Sequence, residues 1–516
     1  MKKNDKLENL GKITRRQFVG AIGLVGTAMF VGGKTNIAQA ALPKKWEKQA
    51  DVIVLGLGAT GAAAAIEAHD NGAKVVILEK MPMAGGNTAL SGGIIYAANT
   101  SVQKSAGISD SVDGMYKFWM TYNNDLLNQD MLKTVCYESA EIIEWLKKLG
   151  VEFPPNLLYF SGVEEEYDSV TPAVKRGHCA KDRGKGLMSV LMKAISARKI
   201  EILYETAGER LIVDANGEVV GVQARRKGKV VNVKAVKGVV IATGGFTRNN
   251  EMVTSYFPLQ RTAVPVTAPG LTGDGILMAE KIGSPIVDTG TVELPPSLPA
   301  LEITPGKKAI MFSSGYFLYK HPCIFVNETG KRFCNETAYY QVVSPLLLRQ
   351  KSAFIIFDDK VKKTVGAAMG YGFSEDLKSE IAGGYLKQAP TVGELAKLLG
   401  IDAANLEKTV SDFNTNVGSG KDPEFGRKKA LGALSTAPFY GGKLTVAVVE
   451  SFGGLKINTK SQVLDAFNEP IPRLYAGGAV TACLRAYPAS GAFLVNCFVF
   501  GRIAGKNVAG EKQKTK

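Results

Sequence analysis

The sequence predicts an α/β fold in which a parallel-sheet domain is divided by an inserted α+β domain. Two observations predict it. Residues 51–80 read as strand, glycine turn, helix and strand, and a comparable strand-and-helix pattern resumes only after residue 447. Between these pieces, near Pro295, the composition shifts to proline, tyrosine and polar clusters with short mixed segments. The expected divisions are a leader at 1–40, a first part of the parallel-sheet domain at 48–297, the insert at 298–447 and a second part at 448–512.

The first stretch, DVIVLGLGATGAAAAIEAHDNGAKVVILEK, carries the most information. Val52-Ile53-Val54-Leu55 is an apolar run of a length that suits a buried parallel strand. Gly56, Gly58 and Gly61 follow in G-x-G-x-x-G spacing, and the proline-free segment from Ala62 to His69 reads as a helix. Val75 to Leu78 is a second apolar run and ends in Glu79. Each glycine has its own duty in such a Rossmann-like unit. Gly56 permits the tight turn, Gly58 lets a pyrophosphate approach the backbone, and Gly61 lets the helix lie close to the strand. The helix N-terminus offers N–H groups to the diphosphate, and Glu79 stands where a carboxylate takes a ribose hydroxyl.

At 516 residues the chain has room for two or three domains, and 45% hydrophobic with 22% charged residues excludes a disordered chain. The first forty residues stand apart. Lys2, Lys3, Lys6 and Lys12 precede Arg15-Arg16-Gln17-Phe18, and the apolar stretch Ala21 to Val31 is too short to span a bilayer. Ala38-Gln39-Ala40 is a small-residue cleavage site. The pattern resembles a twin-arginine (Tat) export signal, so the expected partners include the Tat machinery. The expected location is the periplasm or the outer face of the cytoplasmic membrane.

The formal charge of +15 falls to +10 without residues 1–40. That value fits a lysine-rich surface as well as an acidic electron-transfer partner. No basic stripe with interleaved aromatics points to nucleic acid. The six cysteines, Cys136, Cys179, Cys323, Cys334, Cys483 and Cys497, form no C-x-x-C or haem-attachment pattern, and metal-ligand spacing is absent. They read as mostly buried small apolar residues. Any electrons must therefore come from a separate partner.

Further along, Gly85-Gly86-Asn87-Thr88 and Ser91-Gly92-Gly93 combine glycine pairs with short polar side chains, which lets backbone approach a flat ring closely. Residues 112–150 read as helices stopped by Gly150. Arg176-Gly177-His178, Gly184 and Gly186 read as a loop before a helix from Leu187 to Ala197, with His178 more readily structural than catalytic. Residues 200–245 read as a β-meander with a hairpin at Asn216-Gly217, ending in the buried strand and glycine turn Val239 to Gly245. Thr272-Gly273-Asp274-Gly275 precedes a helix, residues 391–415 are helical, and Phe493 to Ala509 is a long apolar helix.

Together these motifs resemble the flavoprotein family of fumarate reductase and succinate dehydrogenase subunits, urocanate reductase and 3-ketosteroid dehydrogenases, over residues 48–512. Val326-Asn327 through Gly330-Lys331-Arg332-Phe333 and Phe500-Gly501-Arg502 add to the match. The resemblance implies a discontinuous Rossmann-like FAD-binding domain and an α+β capping domain. It also implies a hydride passing between the flavin and a carbon of a C–C bond. No histidine lies between Gly85 and Gly93, so the FAD is expected to be non-covalent. Carried onto this chain, the resemblance implies FAD contacts from Gly56, Gly58, Ala59, Gly61, Glu79, Lys80, Gly86, Asn87, Thr88, Ser91, Gly92, Gly93, Ala207, Thr243, Gly244, Asp274, Gly478, Ala492 and Leu494. Ala479 departs from the family, which often has a carboxylate or amide there.

The departures that bear on substrate share a direction. Where fumarate reductases carry their proton-donating arginine, this chain has Tyr340; the family's Thr-Glu pair and relay arginine fall among Gly315, Tyr316 and Tyr319. Glu450 replaces a histidine, and the carboxylate-binding arginine falls at about Pro488. A buried dicarboxylate needs fixed cations, whereas tyrosine offers apolar area and one hydroxyl. Tyr487-Pro488-x-x-Gly491 with Asn335-Glu336-x-x-x-Tyr340 is similar to the 3-ketosteroid dehydrogenase branch. That similarity implies catalytic roles for Tyr340, which exchanges a proton, and for the Tyr487 hydroxyl and Gly491 amide, which hold a ketone oxygen. A further tyrosine of the branch is left among Tyr116, Tyr122, Tyr316 and Tyr319. The expected activity is that of an FAD-dependent ene-reductase or dehydrogenase on an enone such as a 3-ketosteroid. The alternatives are a reductase of fumarate-, urocanate- or cinnamate-type alkenes, and an exported flavin-binding electron carrier.

Overall fold

Strand β1 (Lys48–Leu55) is apolar on both faces over Val52–Leu55, and all four of these residues are buried, as a central parallel strand requires. In this computed structural model the described residues are 42–512, apart from 125, 161–170, 259–262, 291, 294, 305–306, 312–320, 366–373, 375 and 483–490. Helix α1 (Ala59–Asp70) follows β1 and leads to β2 (Val75–Leu78), which pairs with β1 in parallel, Val52 opposite Val75. A one-turn helix, α2 (Gly86–Leu90), and a short strand, β3 (Ile94–Tyr96), come next, and then α3 (Val112–Tyr122) and α4 (Gln129–Leu149). Gly150 ends α4 at φ 105°, a left-handed cap that glycine adopts without strain.

The chain returns to the main sheet through β4 (Gly177–Cys179), α5 (Arg183–Ala197), β5 (Glu201–Leu203), β6 (Thr206–Val213), β7 (Val219–Arg226) and β8 (Lys229–Ile241). The meander is present: β6, β7 and β8 are antiparallel neighbours, and β8 then runs parallel to β1 with Val54 opposite Val240. Two local expectations are corrected. His178 lies in β4, paired with Ile95 of β3, because its ring is buried and its backbone completes a three-stranded sheet with Leu158–Tyr159. Gly184 and Gly186 lie inside α5, which starts at Arg183. A side chain at Gly184 would collide with the carbonyl oxygen of Thr88, so that turn of helix packs directly on the α2 segment.

The eight-stranded sheet is completed from the far end of the chain by strands Gln462–Leu464 and Pro470–Ala476. The second pairs in parallel with β8, Tyr475 opposite Val240. A helix at Asp274–Glu280 follows the Thr272-Gly273 turn. A separate four-stranded antiparallel sheet is built from Ile324–Asn327, Ala353–Asp358, Phe439–Lys443 and Lys387–Ala389. Helices Val392–Leu399 and Ala403–Gly418 cover it, and Ile324, Val326, Phe354, Ile356, Leu406 and Phe413 form a core distinct from that of the large sheet. The long C-terminal helix is Ala492–Ala509. Among the described residues no helix is long and apolar enough to cross a membrane.

The His178 ring is fully buried. Its Nδ1 lies 2.8 Å from the Arg176 carbonyl, to which it donates, and its Nε2 accepts from the Thr100 hydroxyl at 2.7 Å. That is a neutral imidazole with both nitrogens used, and burial holds its pKa down to about 4. Below the ordinary value near 6.5 the unfolded chain takes up a proton that the native state refuses. Stability is therefore full above that value and declines as pH falls toward about 4, by about 3 kcal/mol when complete. His178→Gln, which keeps a donor and an acceptor but cannot be protonated, should lack this part of the acid-induced loss. Denaturant unfolding of both proteins at pH 7.5 and 4.5 checks it, and equal pH slopes would remove His178 from the account.

Candidate functional site

A long cavity runs beside the C-terminal ends of β1 and β2, and its floor is the glycine turn. Gly56, Leu57, Gly58, Ala59 and Thr60 line it. The three glycines differ in what fixes them. A Cβ on Gly56, at φ 93°, would meet the Ala242 carbonyl oxygen at 2.6 Å, and one on Gly61 would collide with the Gly56 carbonyl. Gly61 is buried behind the turn and does not itself line the cavity. Gly58 is otherwise. The nearest atom to a Cβ there is Thr88 Oγ1 at 3.4 Å, ordinary contact, and its φ is −97°. The fold does not need a glycine at 58, although that residue lines the cavity. Helix α1 has no side-chain N-cap, so its first N–H groups border the cavity, with that of Ala59 donating to Thr88 Oγ1 at 3.0 Å.

Glu79 and Lys80 line the end beyond the turn, with Thr206 and Gly208 of β6. Ala207 is not among the lining residues. The Glu79 carboxylate accepts the N–H groups of Leu57 at 2.7 Å and Met81 at 2.8 Å. Burial pushes its pKa up, against the pull of these amides and of Lys80. Lys80 pairs with Asp274 at 2.7 Å and donates to the Thr272 hydroxyl at 2.5 Å, and that hydroxyl donates to Asp274 at 2.7 Å. Thr243 and Gly244 also line this wall. The Thr243 hydroxyl is buried and has no hydrogen-bond partner among the described residues.

The opposite wall carries Gly86, Asn87, Thr88, Ser91 and Gly92. Gly93 lies just behind, its N–H donating to Ser91 Oγ at 3.1 Å. The Asn87 side chain ties three segments together: its Oδ1 accepts from Ala268 N–H at 2.8 Å, and its Nδ2 donates to the Val449 carbonyl at 3.2 Å and Glu450 Oε2 at 3.1 Å. Glu450 and Val449 line the cavity too, as do Gly491, Phe493, Leu494 and Cys497 at the start of the C-terminal helix. Gly478 and Ala492 sit one residue from the lining residues Ala479 and Gly491 and are buried.

Tyr339 and Tyr340 complete the lining, at the start of helix Tyr340–Leu348. Their rings are 4.3 Å apart, and the Tyr339 hydroxyl donates to that of Tyr340 at 3.1 Å. Tyr122 packs edge-on against Tyr339 at 5.9 Å, while Tyr116 lies under the Lys133 ammonium at 5.9 Å. Tyr316, Tyr319 and the segment with Arg485, Tyr487 and Pro488 lie outside the described residues, as does the Tat-like leader. Sequence reasoning missed Tyr339, Cys497 and the lining role of Glu450. The first was legible as a tyrosine pair, and Phe493, Leu494 and Cys497 as neighbours on one helical face.

Comparison with known proteins gives a consistent result. The family model "FAD binding domain" matches residues 51–494. The chain is 31% identical over 480 residues to a fumarate reductase (cytochrome) of Shewanella frigidimarina, covering 92% of this chain and 80% of that protein. It superposes on the open conformation of a flavocytochrome c3 fumarate reductase with a TM-score of 0.76 at 28% identity, over 98% and 82% of the two chains. It also superposes on the 3-ketosteroid-Δ4-(5α)-dehydrogenase of Rhodococcus jostii RHA1, solved with 4-androstene-3,17-dione. There the TM-score is 0.73 at 27% identity, over 92% of this chain and 99% of that one.

The contrast among the glycines gives a direct test. Gly58→Ala should leave the fold intact, with a thermal midpoint for the ligand-free protein within a few degrees of the parent, but lose most bound FAD. Gly61→Ala should fail earlier, as unstable or insoluble protein, because the helix cannot lie against the turn. Absorbance of released flavin and thermal unfolding of apoprotein distinguish the two. Full flavin loading of the Gly58 variant would overturn the role given to that position.

Proposed function

This chain belongs to the FAD binding domain family, and from that premise we propose where it holds FAD and which bond it reduces. It is an FAD-dependent oxidoreductase acting on CH–CH groups. The FAD is held non-covalently in the cavity lined by the glycine turn, Glu79, Asn87 and Gly491. Three features support this fit. Gly58 leaves open the space that a Cβ would fill, helix α1 starts beside the cavity with no N-cap side chain of its own, and the glycines Gly86, Gly92 and Gly491 let backbone approach a flat ring from the other side. When bound, FAD supplies the hydride chemistry.

The substrate is an enone-type molecule poor in carboxylates, such as a 3-ketosteroid. One observation carries this reading: the only cation among the described lining residues is Lys80, and Asp274 and Thr272 already engage it. Among the described lining residues a dianion such as fumarate would find no unengaged cation, and a buried charge left without one costs several kcal/mol. A neutral ketone needs only donors to its oxygen, which strengthen as negative charge gathers there. The Gly491 amide and the Tyr487 hydroxyl are proposed for that task. Tyr340 gives its hydroxyl proton to the carbon next to the carbonyl: the O–H bond breaks as the C–H bond forms. The Tyr339 hydroxyl donates to the Tyr340 oxygen, so the phenolate left behind keeps a hydrogen bond, which favours the charged form.

The electrons come from a separate donor, a cytochrome or a quinone-linked protein. We place the mature protein outside the cytoplasmic membrane, exported through the Tat pathway on the signal at residues 1–40. The identity to a fumarate reductase favours a second reading, reduction of a carboxylated alkene.

Stopped-flow oxidation of the dithionite-reduced protein separates these readings. With 4-androstene-3,17-dione the parent should reoxidise in a saturable manner, and with fumarate slowly or not at all. Tyr340→Phe keeps shape and removes the donor, so turnover should fall by about 10²- to 10⁴-fold with binding little changed. Fast fumarate reduction by the parent, or a near-normal enone rate in Tyr340→Phe, would refute the reading. A protein that no alkene reoxidises would instead be a carrier.

A further inference from the structure

The geometry points to Glu450 as a positioning residue that fixes a negative charge against the bound FAD and makes it harder to reduce. This rests on the reading that FAD occupies the cavity. Glu450 lines that cavity and is only 7% exposed. Its two oxygens accept hydrogen bonds from separate segments, Oε1 from Ser451 N–H at 3.1 Å and Oε2 from Asn87 Nδ2 at 3.1 Å. Donors to both oxygens favour the ionised form. The side chain is also wedged in place. A Cβ on Gly245, in the turn that carries Thr243 and Gly244, would meet Glu450 Oε1 at 2.7 Å. Backbone pairing with Glu293 fixes the strand beneath it.

A buried fixed charge interacts with its neighbours far more strongly than one in water. Reduction of the cofactor adds negative charge to it, and the carboxylate opposes that addition. The charge therefore biases the cofactor toward its oxidised form and makes the reduced form a stronger hydride donor. Asn87, in α2, transmits the geometric part of the role, because the side chain that binds Glu450 also holds Ala268 N–H.

The test uses full-length, FAD-loaded protein: the parent, Glu450→Gln, Glu450→His and Glu450→Asp. Each is titrated photometrically against a reference dye without any alkene present. The Gln and His variants should shift the reduction equilibrium toward reduced FAD by at least tenfold, about 30 mV for a two-electron couple. The Asp variant, which keeps the charge, should stay close to the parent. An unchanged equilibrium in Glu450→Gln at parental FAD content overturns the proposal, and so does a shift of equal size in Glu450→Asp. Loss of FAD from both the Gln and His variants also overturns it, by making Glu450 a structural residue only. A parent protein without FAD would instead refute the assignment of the cavity.

Discussion

The structure depends on the close approach of helix α1 to its neighbours on two sides. Toward the sheet, Gly61 abuts the Gly56 carbonyl with no room for a methyl group. Toward the C-terminal helix, a Cβ on Gly501 would meet the Thr60 carbonyl oxygen at 2.8 Å, and one on Gly505 would collide with the Ala64 carbonyl. The face between them, Ala62 to Ala65, is fully buried. Small residues four apart on one helix against alanines on the other bring two backbones together, and the tight packing forfeits little dispersion energy. Arg502 then reaches Glu67 at 2.6 Å and lies over the Trp145 ring at 5.1 Å. A helix near the start of the fold is thereby fixed by one near its end, and its first turn cannot shift without opening both contacts.

That constraint explains why the cavity is assembled from distant pieces of chain. With α1 clamped, the turn at Gly56–Ala59 has a set position, and other segments reach it across gaps that side chains close. Asn87 joins residues 87, 268 and 449–450, and Ser451 Oγ accepts from Phe246 N–H at 3.1 Å. Lys80, Asp274 and Thr272 close the other end. Each charged group among the described lining residues is engaged by a named protein group before any ligand arrives, which limits the reorganisation that binding requires. The exception is a polar one: the Thr243 hydroxyl, which has no partner among the described residues.

Much of this was legible in the sequence, for physical reasons that differ by element. The unit at 51–80 announced itself because an unbroken apolar strand, glycine spacing and an alanine-rich helix each leave a local pattern. Gly150 was legible as a helix stop because left-handed backbone favours glycine. The Arg176–His178 segment was not. Its strand is three residues long and is defined by pairing with Ile94–Tyr96, some eighty positions away, which leaves no periodicity to detect. Gly184 and Gly186 misled in the other direction: two glycines read as a loop, yet the helix holds them because Thr88 and Ser91 crowd Gly184, and Lys181 and Asp182 crowd Gly186. Tyr340 was found through resemblance, but its partner Tyr339 became visible only when the cavity placed both rings in one wall. Ala207 was expected in the lining, where its neighbours Thr206 and Gly208 stand instead.

The tyrosine pair owes its position to charges that stabilise little by themselves. Arg332 pairs with Glu336 and Asp422, each at 2.8 Å, and its guanidinium lies between the rings of Phe413 and Phe425 at 5.0 and 4.9 Å. Glu336 also accepts from Arg427 at 3.2 Å and from Phe325 N–H at 3.1 Å. All four charged side chains are essentially buried, where desolvation cancels most of the Coulombic gain. Leucines would fill the same space at no such cost. What the ions add is direction: each bond has one satisfactory geometry, so the segment from Arg332 to Glu336 has one path. Tyr339 and Tyr340 follow at once, and the helix they open begins where that path ends. That path brings the Tyr339 and Tyr340 hydroxyls to the cavity wall, and the edge-on contact of Tyr122 with Tyr339 ties them to helix α3.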